Sequence, residues 1–152
     1  MEAVRELKLT DLPGWCDELA ARLVNVDLAP LFRRLSLYLV RETRRNFEEQ
    51  HSPDGVPWAA FVRSPNKRRG GPSAKLLRDR DILFGSLTAG SANHVEEIMS
   101  SSLIWGTNVP YGGFHQDGTK NMEARPFVGI TLAMTNRIED ITLDYMRERL
   151  VA

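Results

Sequence analysis

Three observations predict an α+β fold: apolar residues at helical spacing near both ends, short apolar runs between polar turns in the middle, and turn-forming clusters that separate the two kinds of segment. The expected architecture is a small antiparallel sheet with a long N-terminal helix and a C-terminal helix packed on it, plus a mobile basic loop. The 152 residues suit a single domain, 1–152, with a core of its own. No internal repeat is visible.

Each element follows from local chemistry. Leu12, Trp15, Cys16, Leu19 and Leu23 recur at helical spacing, and Thr10 or Asp11 is a fitting cap for this first helix. Asp27 then opens a longer helix whose first turn tolerates Pro30. Leu28, Leu31, Phe32, Leu35, Leu39 and Phe47 supply its apolar stripe, while Arg33, Arg34, Arg41, Arg44 and Arg45 occupy the other side. Pro53 stops the helix, Asp54-Gly55 turns the chain, and Trp58 and Phe61 drop back onto the core. Residues 63–72 have almost nothing to bury and contain two breakers, so they read as a flexible loop. A short helical segment is expected around Leu76–Phe84. Ser86–Ser91, Val95–Met99, Leu103–Trp105 and Arg125–Ile130 read as strands. Pro110–Gln116 forms a short helix that Gly118 ends. The last helix starts near Asn136, with Ile138, Ile141, Leu143, Tyr145, Met146 and Leu150 mostly on one side.

The bulk numbers exclude several classes. Net charge is zero, so the chain as a whole is not drawn to nucleic acid or anionic lipid. Cys16 is alone and can form neither an intrachain disulfide nor a cysteine-rich zinc site, which suits a reducing cytoplasm. The charged start Met1-Glu2-Ala3-Val4-Arg5-Glu6 predicts no signal peptide. No apolar run approaches the ~18 residues of a membrane span. His51, His94 and His115 stand in no His-Glu-x-x-His pattern, and Gly85–Ser91 lacks the lysine of a phosphate loop. Glu96 and Glu97 are adjacent, so a strand points them to opposite faces. A protein without catalytic residues, metal or cofactor is expected.

Residues suited to contact are easier to find. Ile104–Gly118 is dense in glycine, aromatic and amide groups and nearly empty of catalytic chemistry, as befits a building block. Arg63, Lys67, Arg68, Arg69 and Lys75, followed by Arg78 and Arg80, make a basic loop. It reads either as a solvated segment that orders against an acidic partner or as a DNA contact working by counterion release. The five arginines of the long helix repel one another unless Asp17, Glu18, Glu139, Asp140 or Asp144 lies nearby, in the same chain or a neighbouring copy. Tyr111, His115 and Gln116 lie at helical spacing and can share one face. Arg125, held extended before Pro126, is expected to aim outward toward a carboxylate. These four are either fold residues or contacts between subunits. Pro53, Asp54, Gly55, Trp58, Gly106, Pro126 and Phe127 read as fold determinants.

Taken in series, these motifs form a pattern. Phe47 precedes Pro53-Asp54-Gly55 and Trp58; Ile82-Leu83-x-Gly85-Ser86-Leu87 follows. Then come Trp105-Gly106-Thr107-Asn108-x-x-Tyr111, His115-Gln116-x-Gly118 and Ala124-Arg125-Pro126-Phe127-Val128-Gly129. Their order resembles the tailed-phage virion morphogenesis family, which takes in Mu-like morphogenesis and P2-like tail completion proteins. The likeness covers roughly residues 28–150 and leaves 1–27 as an N-terminal extension. Gly112-Gly113 after Tyr111, and Asp117, depart from the family's usual pattern. The resemblance implies a non-enzymatic virion protein, made in the host cytoplasm, that acts at the head–tail junction. It implies a homo-oligomeric ring, with six subunits as the expected number, bound to other neck and tail proteins and not to membrane. The alternative is a module whose residues 63–80 touch DNA passing through a channel.

Overall fold

The computed structural model describes residues 14, 17–18, 20–21, 26–60, 75–88 and 91–151, the last by its backbone. Most of the expected first helix lies outside these residues, with its caps and apolar stripe. Gly14, Asp17, Glu18, Ala20 and Ala21 are helical. Phe61 and the loop 63–72, with Arg63, Lys67, Arg68 and Arg69, also lie outside them.

Helix α1 spans Ala29–Glu49. Asp27 Oδ1 accepts the Ala29 N–H at 3.0 Å, and Pro30 sits in the first turn, where its missing N–H has no intrahelical partner to lose. The helix ends where Gln50 turns left-handed, at φ 62°, before Pro53 is reached. The turn beyond is tight. Gly55, at φ +84°, donates its N–H to the Ser52 carbonyl at 2.8 Å, and the Ser52 hydroxyl donates to the Asp54 carboxylate. Trp58 then returns into the core, its N–H on the Gln50 carbonyl at 2.9 Å.

The expected helix around Leu76–Phe84 is confined to α2, Ile82–Ser86. Leu77 and Asp81 have positive φ, which breaks the run into turns before the helix can start. Of the expected strand Ser86–Ser91, residues 89 and 90 lie outside the described ones, and none of the described residues is in a strand. Ser86 closes α2, and the Leu87 and Thr88 N–H groups bond the Phe84 and Gly85 carbonyls at 3.2 and 3.1 Å, so no edge is free to pair.

Strands β1, His94–Ile98, and β2, Leu103–Thr107, pair antiparallel, with Glu96 opposite Trp105. Helix α3, Gly112–Asp117, stops at Gly118, φ +76°. A Cβ there would meet the Ala124 nitrogen at 2.8 Å, so only glycine fits. Arg125–Ile130 is extended but joins no sheet. Helix α4 spans Leu132–Val151, starting before the expected Asn136. The Thr131 hydroxyl oxygen caps it, accepting the Met134 N–H at 3.2 Å. The fold is thus α+β, with a two-stranded antiparallel sheet between long N-terminal and C-terminal helices.

Two packing regions result. Phe47, fully buried, stands edge-on to Trp58 and Phe84 and tilted against Phe127, with ring centres 5.4–5.6 Å apart. Leu83, Leu87 and Val109 complete this core. Toward the other end, α4 runs back along α1. Met134 and Tyr145 are its buried residues there, and the Tyr145 hydroxyl donates to the Asp27 carbonyl. Leu143, placed on the apolar side by its spacing, is instead exposed. Buried Glu42, Thr43 and Asn46 show that the inner face of α1 is more polar than its leucine stripe implies.

Candidate functional site

The segment after α3 has no sheet to hold it, so side chains satisfy its backbone instead. The Gln116 amide acts as a strand edge would. Its Oε1 accepts the N–H groups of Phe127 and Val128 at 3.1 and 3.3 Å, and its Nε2 donates to the Val128 carbonyl at 2.7 Å. Asn46 Nδ2 donates to the Phe127 carbonyl at 3.2 Å, and Trp58 Nε1 to the Pro126 carbonyl at 2.8 Å. The Arg125 N–H bonds the His115 carbonyl at 2.7 Å. Between these points Thr119 and Met122 exchange backbone bonds and close a small turn. Buried amide and indole groups gain most when their partners are backbone groups that would otherwise be orphaned.

The outward aim expected for Arg125 is overturned. The residue is 6% exposed, and Nε and Nη2 donate to the Ala59 and Ala60 carbonyls at 2.8 and 3.3 Å. The guanidinium fork finds two carbonyls of the returning Trp58 segment. Gln116 likewise turns inward. Of the four candidate contact residues, Tyr111 and His115 alone share a face, with ring centres 5.9 Å apart and edge-on. Burial depresses the His115 imidazole below the ordinary histidine range, and the Arg125 guanidinium adds to this. Its Nδ1 is buried without a partner. Tyr111 is exposed beside it, and Phe114 on the same short helix is 60% exposed. Phe114 is absent from the residues that sequence reasoning singles out, although an aromatic between Gly113 and His115 on so short a helix is itself a signal.

Among the fold determinants, Trp58 and Phe127 sit in the core and Pro53, Asp54 and Gly55 form the turn. Gly106 is different. It lies within β2 opposite Val95, its φ is not positive, and a Cβ would meet nothing within 4 Å. Nothing in the geometry requires glycine there. Ser86 was the missed counterpart: fully buried, its hydroxyl bonds Thr107 Oγ1 at 2.6 Å while its carbonyl accepts from His94 Nδ1 at 3.0 Å, tying α2 to both strands.

The basic residues are partly engaged. Lys75 Nζ donates to the Glu48 carbonyl at 3.2 Å, near the end of α1. Arg78 pairs with Asp81 and lies 3.9 Å over the Phe84 ring, and its hydrogen bond, then its charge, holds the Asp81 carboxyl below the usual range. On α1, Arg34 forks onto Glu148 at 2.7 and 3.1 Å, and Arg45 reaches Glu42 at 2.7 Å. Neither carboxylate is among those the sequence reading nominates. Arg33 and Arg44 are exposed and have no carboxylate partner among the described residues. No group of three His, Cys, Asp or Glu able to hold a metal occurs among the described residues, nor any helix long and apolar enough to cross a membrane.

Comparison with known proteins gives this arrangement its setting. No solved structure matches the chain. A curated protein of Haemophilus influenzae, Mu-like prophage FluMu G protein 1, is 32% identical over 109 residues, which cover 69% of this chain and 70% of that protein. The phage virion morphogenesis family matches over residues 7–147, and so takes in most of the N-terminal stretch that the quoted motifs leave out. The chain therefore belongs to the phage virion morphogenesis family, and its role is structural, in assembly of the virion.

Proposed function

We propose that this virion-assembly protein works at the head–tail junction, as a neck, tail-completion or tail-terminator subunit that assembles into a ring of its own copies. The observation that carries the reading is the family match along nearly the whole chain. The structure supports it physically. A corner stapled by Gln116, Asn46 and Arg125 holds Tyr111 and Phe114 outward on a fixed backbone. Exposed aromatics on a rigid support lose little entropy on docking, which suits contact with other neck and tail proteins. Function then lies in contact, without turnover or cofactor.

Antibody labelling of purified particles tests the position. The expected result is one cluster of label per particle, where head meets tail. Label spread along the tail tube or over the capsid shell would overturn it. The DNA-contacting alternative through residues 63–80 makes a separate forecast: affinity for duplex DNA that falls steeply between low and physiological salt.

A further inference from the structure

The outer face of α1 carries Leu37, which is 68% exposed. Helical spacing places Arg33 and Arg41 one turn to either side of it and Arg44 two turns on. Arg41 lies 3.4 Å from the Glu42 beside it and 5.2 Å from the centre of the Tyr38 ring, and Arg33 and Arg44 have no carboxylate partner among the described residues. Glu48 lies beyond, at the end of this ridge. The middle of α1 thus presents a leucine among three arginines.

Helix α4 presents the opposite arrangement on the side turned from α1. Leu143 is 52% exposed. It precedes Tyr145, the residue bonded to Asp27, by two positions, about 200° round the helix. Glu139 and Asp140 lie one turn before it. Glu139 has no cationic partner among the described residues, and Asp140 is 3.9 Å from Arg137, a loose pair. Arg147, one turn after Leu143, is held by Asp144 at 3.2 Å.

A single exposed leucine needs no explanation. Two of them, one framed by arginines and the other by carboxylates, are complementary. Because α1 and α4 already pack together, these outer faces diverge and cannot meet within one subunit. We propose that the Arg33–Leu37–Arg44 ridge of one copy seats against the Glu139–Asp140–Leu143 face of the next. This rests on the reading of the protein as a ring-forming subunit and names the surfaces that close the ring. Such a contact is heterologous, using two different patches, and repeats until rotation closes it. The chain's zero net charge leaves copies without overall repulsion, while the local patches set their orientation. The occupant of both faces is therefore a second copy, and the Tyr111–Phe114 corner is left for a different partner.

Sedimentation velocity on four samples tests this, with purified tail tubes as template where free protein stays dispersed. The samples are the wild type, Arg33→Glu/Arg44→Glu, Glu139→Lys/Asp140→Lys, and an equimolar mixture of the two variants. All four replaced side chains are exposed, so melting temperatures should match the wild type. Each variant alone should associate roughly ten-fold more weakly or worse. Mixing should restore assembly, because each variant then offers the charge that the other lacks, alternating round an even-numbered ring. Variants that assemble as the wild type does would overturn this contact while leaving the ring reading intact. Loss without recovery on mixing would overturn the charge pairing. A wild type that never self-associates, even on tails, would overturn the ring reading itself and this contact with it.

Discussion

The two ends of α1 are held in different ways. Around Phe47 the chain is fixed from all sides: three aromatic rings meet it, Asn46, Trp58 and Arg125 bond backbone groups of segments far away in sequence, and Gln116 bonds those of Phe127 and Val128 beyond the next turn. Around Tyr145 the helices meet through its hydroxyl bond, a surface ion pair between Arg34 and Glu148, the Arg34 and Arg149 guanidinium groups 5.3 Å from its ring centre, and few buried side chains. The polar side chains that staple the first region are committed to backbone groups, and what it offers a partner is the aromatic pair Tyr111 and Phe114. The second keeps its charges and two leucines on the outside. Stability is thus concentrated at one end, and the exposed charges suited to contact between copies lie along the helical layer at the other.

That contrast can be broken most severely at Phe47. Phe47→Ala should destabilise the subunit by about 3–5 kcal/mol in chemical denaturation, since it opens a cavity at the centre of the aromatic cluster. Next is Gln116→Ala, which strands two buried N–H groups and a carbonyl. A loss of about 1–3 kcal/mol is expected. A much smaller loss would mean that the 124–129 segment is held by packing alone. Tyr145→Phe removes one hydroxyl bond at the looser end, and about 0.5–1.5 kcal/mol should be lost in the same assay.

How much of this was legible in the sequence depends on how local the signal is. The Ser52–Gly55 turn, Gly118, and the hairpin of β1 and β2 follow from neighbouring residues and stand in the structure, while Asp27, expected as the cap of α1, bonds the Ala29 N–H from one position before the cap residue Leu28. Arg125 does not. A residue before proline is extended in any setting, but which way its guanidinium points depends on Ala59 and Ala60, some 65 positions away. The same holds for Gln116, whose amide replaces a strand partner and so turns an expected strand into a stapled loop. Helix α4 was placed too late because Thr131 is an unobtrusive cap, and with it Met134 was left out of the core. Arg34 and Glu148 are 114 residues apart, beyond any local pattern.

The smallest expected effect is on pH dependence, where His51 and His115, both at the stapled end, differ in sign. His115 is held below its ordinary pKa by burial and then by Arg125, so it resists protonation in the folded state. Its contribution is present above about pH 6.5 and is lost as pH falls through its lowered value. His51 is the reverse. Burial alone would lower it, but Glu49 and the Ser52 carbonyl face its two ring nitrogens and raise it. Its contribution is full below about pH 6.5 and lost as pH rises through the raised value. In thermal melts the deficit of His51→Asn relative to wild type should shrink toward alkaline pH, and that of His115→Asn should shrink toward acid. Parallel profiles would show that neither ring is coupled to folding as described.

We propose that this subunit builds virions by joining to copies of itself. The most direct test is the mass of the purified wild-type protein, alone at high concentration and bound to isolated tail tubes. A discrete closed multiple of the subunit, with six copies as the expected number, is the predicted result. A protein that remains a monomer in both settings would contradict the account.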